Sequence, residues 1–80
     1  MAERTRNHDE IRRWAEQRGG HPAYVEGTEI LRIDFDDAEA DDRLQRTDWD
    51  EFFQTFDDRG LDFLYEPDAE NRFNKFVGNA

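Results

Sequence analysis

An aromatic stripe near the middle of the chain constrains the fold more than any other feature of the sequence. Its four residues lie at the i, i+3, i+4 and i+7 spacing of one helical face: Trp49, Phe52, Phe53 and Phe56. Each such ring buries ~150–250 Å² when it packs, so a helix that carries four of them needs an apolar surface to cover it. Although charged residues make up 40% of the chain, the stripe therefore predicts a folded domain.

A first helix is predicted near the start of the chain. Asn7 can serve as its N-cap, and Asp9 and Glu10 follow in the first turn, where the helix dipole favours carboxylates. Apolar residues then recur at helical spacing until Gly19-Gly20, which ends the helix.

The aromatic stripe belongs to a second helix with similar boundaries. Thr47 or Asp48 can cap it, and Arg59-Gly60 ends it. Residues 9–19 and 50–60 also resemble each other weakly. This internal echo is consistent with two αββ halves that share one sheet.

Four segments have the pattern of β-strands: 23–26, 30–35, 61–66 and 72–77. A short turn joins the first two into a hairpin, whereas the last segment also fits one turn of helix. Residues 1–6 have no hydrophobic periodicity, so we expect a flexible N-terminus there. The predicted fold is a single small α+β domain over residues 7–80. Two helices pack on one face of a three- or four-stranded antiparallel sheet, in the order α-β-β-α-β-β.

The charge composition indicates the salt concentration to which the protein is adapted. Asp and Glu number 21 against 11 Lys and Arg, the formal net charge is −10, and Lys75 is the only lysine. At about 1 M salt the Debye length falls to ~3 Å, which screens the self-repulsion of such a surface. We therefore expect a protein adapted to molar salt, whose folding strengthens as KCl rises. The same acidity argues against direct binding to nucleic acid or to an anionic membrane.

Little in the sequence points to catalysis or to a metal. Cysteine and serine are both absent, which removes thiol chemistry and the commonest hydroxyl nucleophile. The acidic connector at 36–42 does not fit a calcium loop, because the sixth position counted from Asp34 is Glu39 rather than glycine. The spacing of His8 and His21 resembles no metal motif. We predict no catalytic residue, cofactor or metal site, and a cytoplasmic location.

Apolar residues left outside the core suggest a function in binding. If alternate residues of segment 30–35 face the helices, Ile30 must point the opposite way. The residues expected on this free sheet face are Tyr24, Ile30, Leu64 and Phe76. An exposed apolar face typically binds a partner protein or a second copy of the chain. We therefore predict a non-enzymatic interaction module. The alternative is an acidic mimic of nucleic acid that occupies the basic groove of a DNA- or RNA-binding protein.

The sequence also resembles a family of small uncharacterised prokaryotic proteins. The resemblance covers nearly the whole chain and is carried by HDEIRRWAE at 8–16, RGG at 18–20, PA at 22–23, LRIDF at 31–35, WDEFF at 49–53, FLY at 63–65 and FNKFV at 73–77. Some members carry the name of an α-glucan branching enzyme. The resemblance thus implies an accessory role in polysaccharide metabolism as a further alternative, and it supplies no catalytic residues.

Overall fold

A computed structural model describes residues 2–78 as two helices and six strands. In chain order these are β1 (Glu3–Thr5), α1 (His8–Glu16), β2 (Gly20–Val25), β3 (Leu31–Phe35), β4 (Leu44–Arg46), α2 (Trp49–Asp58), β5 (Leu61–Tyr65) and β6 (Asn74–Gly78). The predicted α+β class is confirmed, as are both helices. No helix within residues 2–78 is long and apolar enough to cross a membrane.

Both helices begin at caps that the sequence predicts. The side chain of Asn7 accepts a hydrogen bond from the Glu10 N–H at 3.0 Å. At α2 the cap is Asp48 rather than Thr47, and its Oδ1 accepts from the Glu51 N–H at 2.8 Å. Each cap therefore satisfies one of the backbone N–H groups that the first turn leaves without a partner.

The strands form two antiparallel sheets instead of the single sheet that the sequence predicts. Sheet A has the order β1-β5-β6, and sheet B has the order β3-β2-β4. Each sheet consists of one hairpin and one added edge strand, β1 or β4, and the sequence pattern predicts neither of these strands. Each has only three residues, Glu-Arg-Thr and Leu-Gln-Arg, and such short polar segments become strands only through pairing with a distant neighbour.

Three boundaries also differ from the prediction. Glu3–Thr5, within the segment expected to be flexible, pairs with Phe63–Tyr65 of β5. Strand β2 begins at Gly20 and so includes Pro22. Proline is tolerated in this central strand because β4 ends opposite Ala23, so no ladder bond is lost. The last segment is the strand β6, as predicted, and not the alternative helical turn, although it spans Asn74–Gly78 rather than residues 72–77.

The molecule has two layers. Its extents are 33 × 32 × 18 Å, and the shortest dimension leaves room for two layers of backbone about 10 Å apart. Both helices pack against the sheets, α1 in contact with β2 and α2 in contact with both β2 and β5. Arg72 pairs with Asp37 and Arg59 donates to the Glu29 carbonyl, which ties the sheets together near both ends of β3.

The core fills the space between the layers. Its buried members are Ile11, Trp14, Ala15, Leu31, Ile33, Phe52, Phe53, Phe56, Leu61 and Phe63. Three of the four rings of the predicted stripe are buried, and Trp49 packs against them at the edge. The stripe thus lies against both sheets, as its spacing requires.

The element order repeats one plan twice. The N-terminal half (residues 3–35) and the C-terminal half (residues 44–78) each run strand, helix, strand, strand. The halves exchange their first strands, since β1 pairs with β5 and β4 pairs with β2. Each helix is followed by a glycine at positive φ, 67° at Gly19 and 60° at Gly60. The internal echo in the sequence therefore corresponds to a repeated structure, with one more strand in each half than the αββ pattern predicts.

Candidate functional site

The side of sheet B that is turned away from the helices carries an apolar patch. Leu31 and Ile33 are buried in the core, so the intervening residues of β3 point outward. Ile30, just before β3, is 42% exposed. It lies beside Val25, whose N–H donates to the Ile30 carbonyl at 2.9 Å, and Leu44 lies opposite Val25 on the other side. We call Val25, Ile30 and Leu44 the outer patch.

Two arginines border the outer patch. Arg32, Asp41 and Arg43 line with it a shallow hollow of about 280 Å³. Arg43 Nε lies 3.5 Å from Asp41 Oδ1. Among residues 2–78, Arg32 has no ion pair, and its guanidinium donates only a long bond of 3.4 Å to the Leu31 carbonyl. One cation beside the patch is therefore without a carboxylate partner in the described part of the chain.

The opposite end of the same sheet face is occupied by ion pairs. Arg46 Nε donates to Asp34 Oδ2 at 2.9 Å and its Nη2 donates to Asp36 Oδ1 at 3.1 Å. His21 Nε2 lies 2.8 Å from the same Asp36 oxygen. The imidazole of His21 and then Arg46 hold the pKa of Asp36 below its usual value. This end is internally paired, so the outer patch and its arginines form the more available part of the face.

The structure does not bring together the four residues predicted for one sheet face. Ile30 is exposed on the outer side, as the alternation of β3 predicts. Tyr24 lies opposite Leu31 on the inner side of sheet B and packs against the core. Phe76 is also internal, with its ring centroid 5.1 Å from that of Phe63. Leu64 lies on sheet A. Only Ile30 therefore remains in the candidate site.

The neighbours of Ile30 in the outer patch are not among the predicted site residues. Val25 lies in the predicted strand segment 23–26, and its outward direction follows from the alternation of that hairpin. Leu44 carries no such signal, because its strand β4 follows the acidic connector and pairs with β2 across 19 residues. The outer patch thus depends on a strand that only the fold creates.

The outer side of sheet A has a different character. Arg4 and Lys75 lie opposite Leu64 on the two neighbouring strands. Asp62, next to them on β5, is only 5% exposed, and Arg4 Nη1 and Arg6 Nε lie 3.5 and 3.4 Å from its carboxylate. Arg4 of β1 and Arg6 just after it therefore supply the cations that accompany a buried carboxylate.

The histidines take structural positions. The ring of His8 stacks on Phe53 at 4.1 Å, and its Nε2 lies 2.9 Å from Asp57 Oδ1, so it joins the start of α1 to the end of α2. Within residues 2–78 no three His, Cys, Asp or Glu residues form a group that could hold a metal ion.

Comparison with known proteins identifies no relative. No family model matches the chain, and neither a curated protein nor a solved structure matches it.

Proposed function

We propose that this protein is a non-enzymatic interaction module that binds a partner protein through the outer patch of sheet B. The observation that carries the proposal is the 42% exposure of Ile30 beside the half-buried Val25 and Leu44, on the side turned away from the core. Protein interfaces typically combine an apolar centre with a polar rim in which arginine is enriched. The outer patch with Arg32 and Arg43 has this composition.

The charges at the border define the chemistry of the partner. Arg32 has no carboxylate partner within residues 2–78, so a carboxylate on the partner can pair with its planar guanidinium. The expected partner surface is an apolar side chain flanked by Asp or Glu. The apolar contact also suits a protein adapted to molar salt, because screening weakens ion pairs there and leaves the burial of apolar surface intact.

The proposal is tested by capturing partners from host lysate at high KCl with three baits. The wild type is compared with Ile30→Asp and with Phe73→Asp. The control removes the other large exposed hydrophobic residue, which is 47% exposed and precedes β6 rather than belonging to sheet B. A protein retained by the wild type and by Phe73→Asp, and lost with Ile30→Asp, supports the outer patch.

The retained protein is then purified and titrated. Ile30→Asp should weaken its affinity at least about tenfold, which corresponds to 1.4 kcal/mol, and Arg32→Glu should weaken it further at low salt than at high salt. A partner that binds Ile30→Asp as tightly as the wild type would overturn the proposal. Displacement of such a partner by DNA would favour the nucleic-acid mimic instead. If the patch binds a second copy, sedimentation equilibrium will show a wild-type dimer and a monomeric Ile30→Asp variant.

A further inference from the structure

The outer patch forms one row across the strands of sheet B. Val25 is its middle member, because its N–H donates to the Ile30 carbonyl on one side and Leu44 is its register partner on the other. Ile30 is 42% exposed, and Val25 and Leu44 are half-buried. A second sheet that stacks on such a face can cover its aliphatic side chains, so the charges around the row decide which surface fits.

Arg32 occupies one corner beside this row. It follows Ile30 by two residues and lines the same hollow. Its register partner on β2 is Ala23, two residues before Val25, so Arg32 lies towards the middle of the sheet. Its side chain is exposed, and within residues 2–78 its guanidinium donates only the 3.4 Å bond to the Leu31 carbonyl. This corner therefore presents a cation that can pair with a carboxylate of another molecule.

An excess of carboxylates marks the diagonally opposite corner. It lies beyond the Leu44 end of the row, where the Glu26 N–H donates to the Arg43 carbonyl at 2.7 Å. The three acidic residues Glu26, Asp41 and Asp42 outnumber Arg43 there, and all four are exposed. Asp41 also lines the hollow. Within residues 2–78 its hydrogen bond and its ion pair, both with Arg43, use Oδ1, which leaves Oδ2 for a donor from another molecule.

We infer that the partner of the outer patch is a second copy of this chain, packed face to face about a two-fold axis. The inference rests on the proposed function and adds the identity of the partner. Since Arg32 and Asp41 lie at opposite corners, an axis along the other diagonal brings the Arg32 of each copy to the Asp41 of its partner. The strands of the two copies then cross at a large angle, which is one of the two ways in which sheets stack. Each contact in such a dimer occurs twice, so two ion pairs flank an apolar centre.

The net charge determines the salt concentration at which this dimer forms. Each copy carries a formal charge of −10, so two copies repel each other at low salt. At about 1 M salt the Debye length of ~3 Å removes most of this repulsion, whereas burial of the apolar row is not weakened. The dimer should therefore form at molar KCl and dissociate as KCl is lowered.

Sedimentation equilibrium at molar KCl, over protein concentrations from about 1 µM to 1 mM, tests the arrangement with two charge reversals. Arg32→Glu and Asp41→Arg should each weaken the dimer at least about tenfold, because each places like charges together at both corners. An equimolar mixture of the two variants should dimerise like the wild type, since both corner contacts of the mixed dimer again join a cation to a carboxylate. Arg13→Glu makes the same charge change at an exposed position of α1 and should leave the dimer unchanged.

Each variant is first shown to be folded by circular dichroism in the same KCl. The inference is overturned by a wild type that stays monomeric over this range, by reversals that leave the dimer intact, or by a mixture that stays monomeric although the wild type dimerises. A monomeric wild type that still captures a protein from host lysate through Ile30 would leave the proposed function standing. A dimer that survives Ile30→Asp, with no capture that depends on Ile30, would overturn both.

Discussion

The two halves of the molecule follow one backbone plan with different interiors. At the seventh and eighth positions of its helix, α1 has a large residue and then a small one, Trp14 and Ala15, whereas α2 has Thr55 and then Phe56. Both Ala15 and Phe56 are fully buried. The large side chain thus lies at the seventh position of α1 and at the eighth position of α2. The shared backbone plan therefore tolerates a different distribution of side chains as long as the space between helices and sheets stays filled.

The arginines that follow the two helices also differ between the halves, in their burial and in their hydrogen bonds. Arg18 is 7% exposed and donates to the carbonyls of Trp14, Pro67, Asp68 and Asn71 at 2.6–3.2 Å. Its counterpart Arg59 is exposed and donates to one carbonyl, that of Glu29. Each arginine holds the hairpin connection of the opposite half, although only Arg18 is buried in doing so. Burial lowers the pKa of Arg18, and the group stays charged at neutral pH because arginine titrates so far above it.

The largest loss of stability is expected from removing the ring of Phe56, the eighth residue of α2. Phe56→Ala removes a fully buried phenyl group and should cost about 3–5 kcal/mol, enough to unfold a domain of this size. Thermal unfolding followed by circular dichroism gives the measurement. Thr55→Ala, at the adjacent half-buried position, is the control and should cost less than about 1 kcal/mol. A Phe56→Ala protein that melts within a few degrees of the wild type would show that the core is not centred on α2.

Replacing each of the two arginines by methionine tests the difference in their burial. Arg18→Met should cost about 2–4 kcal/mol, because it leaves the buried carbonyl of Trp14 and three partly buried carbonyls without their donor, whereas Arg59→Met should cost about 0.5 kcal/mol or less at its exposed position. Urea unfolding of both variants provides the comparison. Arg18→Lys should rescue little, since an ammonium cannot reproduce the planar fork of donors. Equal losses for the two methionine variants would mean that the halves are held in the same way.

The helices were predictable because their signals are local. Caps, stop glycines and the aromatic stripe all lie within one turn of the residues that they affect, and Asn7, Asp48, Gly19 and Gly60 take the positions that the sequence indicates. The hairpin of β2 and β3 was predictable for the same reason, since it pairs neighbouring segments.

The sheets were not predictable, because their edges depend on exchange between the halves. Strand β1 pairs with β5 across 60 residues, and the sequence Glu-Arg-Thr has no pattern that predicts a strand. The error extends to the candidate site, because a single sheet would place Leu64 and Ile30 on one surface. Ile30 alone could be predicted, since the alternation of β3 is a local property, whereas its neighbour Leu44 depends on the long-range pairing of β4.

Salt should affect the two helices unequally. The charged residues of α2 are all acidic (Asp50, Glu51, Asp57 and Asp58), and its last turn contains no base, whereas α1 also carries Arg12 and Arg13. From about 0.1 to 1 M KCl the Debye length falls from ~10 to ~3 Å. The melting temperature should rise over this range, and amide hydrogen exchange should slow more in α2 than in α1. A melting temperature that stays constant would contradict adaptation to molar salt, and equal slowing would contradict the difference between the halves.

The smallest effect is expected from the ion pairs on the outer side of sheet B. These pairs are exposed, whereas on sheet A the paired carboxylate of Asp62 is buried. The pKa of Asp36 lies below its usual value because of His21 and then Arg46, so the folded protein keeps this carboxylate ionised at a pH where the unfolded chain protonates it. The resulting stabilisation is present above the ordinary aspartate pKa of about 3.9 and is lost as the pH falls through the lower pKa of the folded state.

The melting temperature of Asp36→Asn should therefore lie slightly below that of the wild type at pH 5, and the difference should shrink below pH 4. Asp42→Asn removes a carboxylate from the same connector that has no ion pair within residues 2–78, and it should show no such pH-dependent difference. If both variants behave alike, the effect comes from the reduction of net charge and not from the pairs on sheet B.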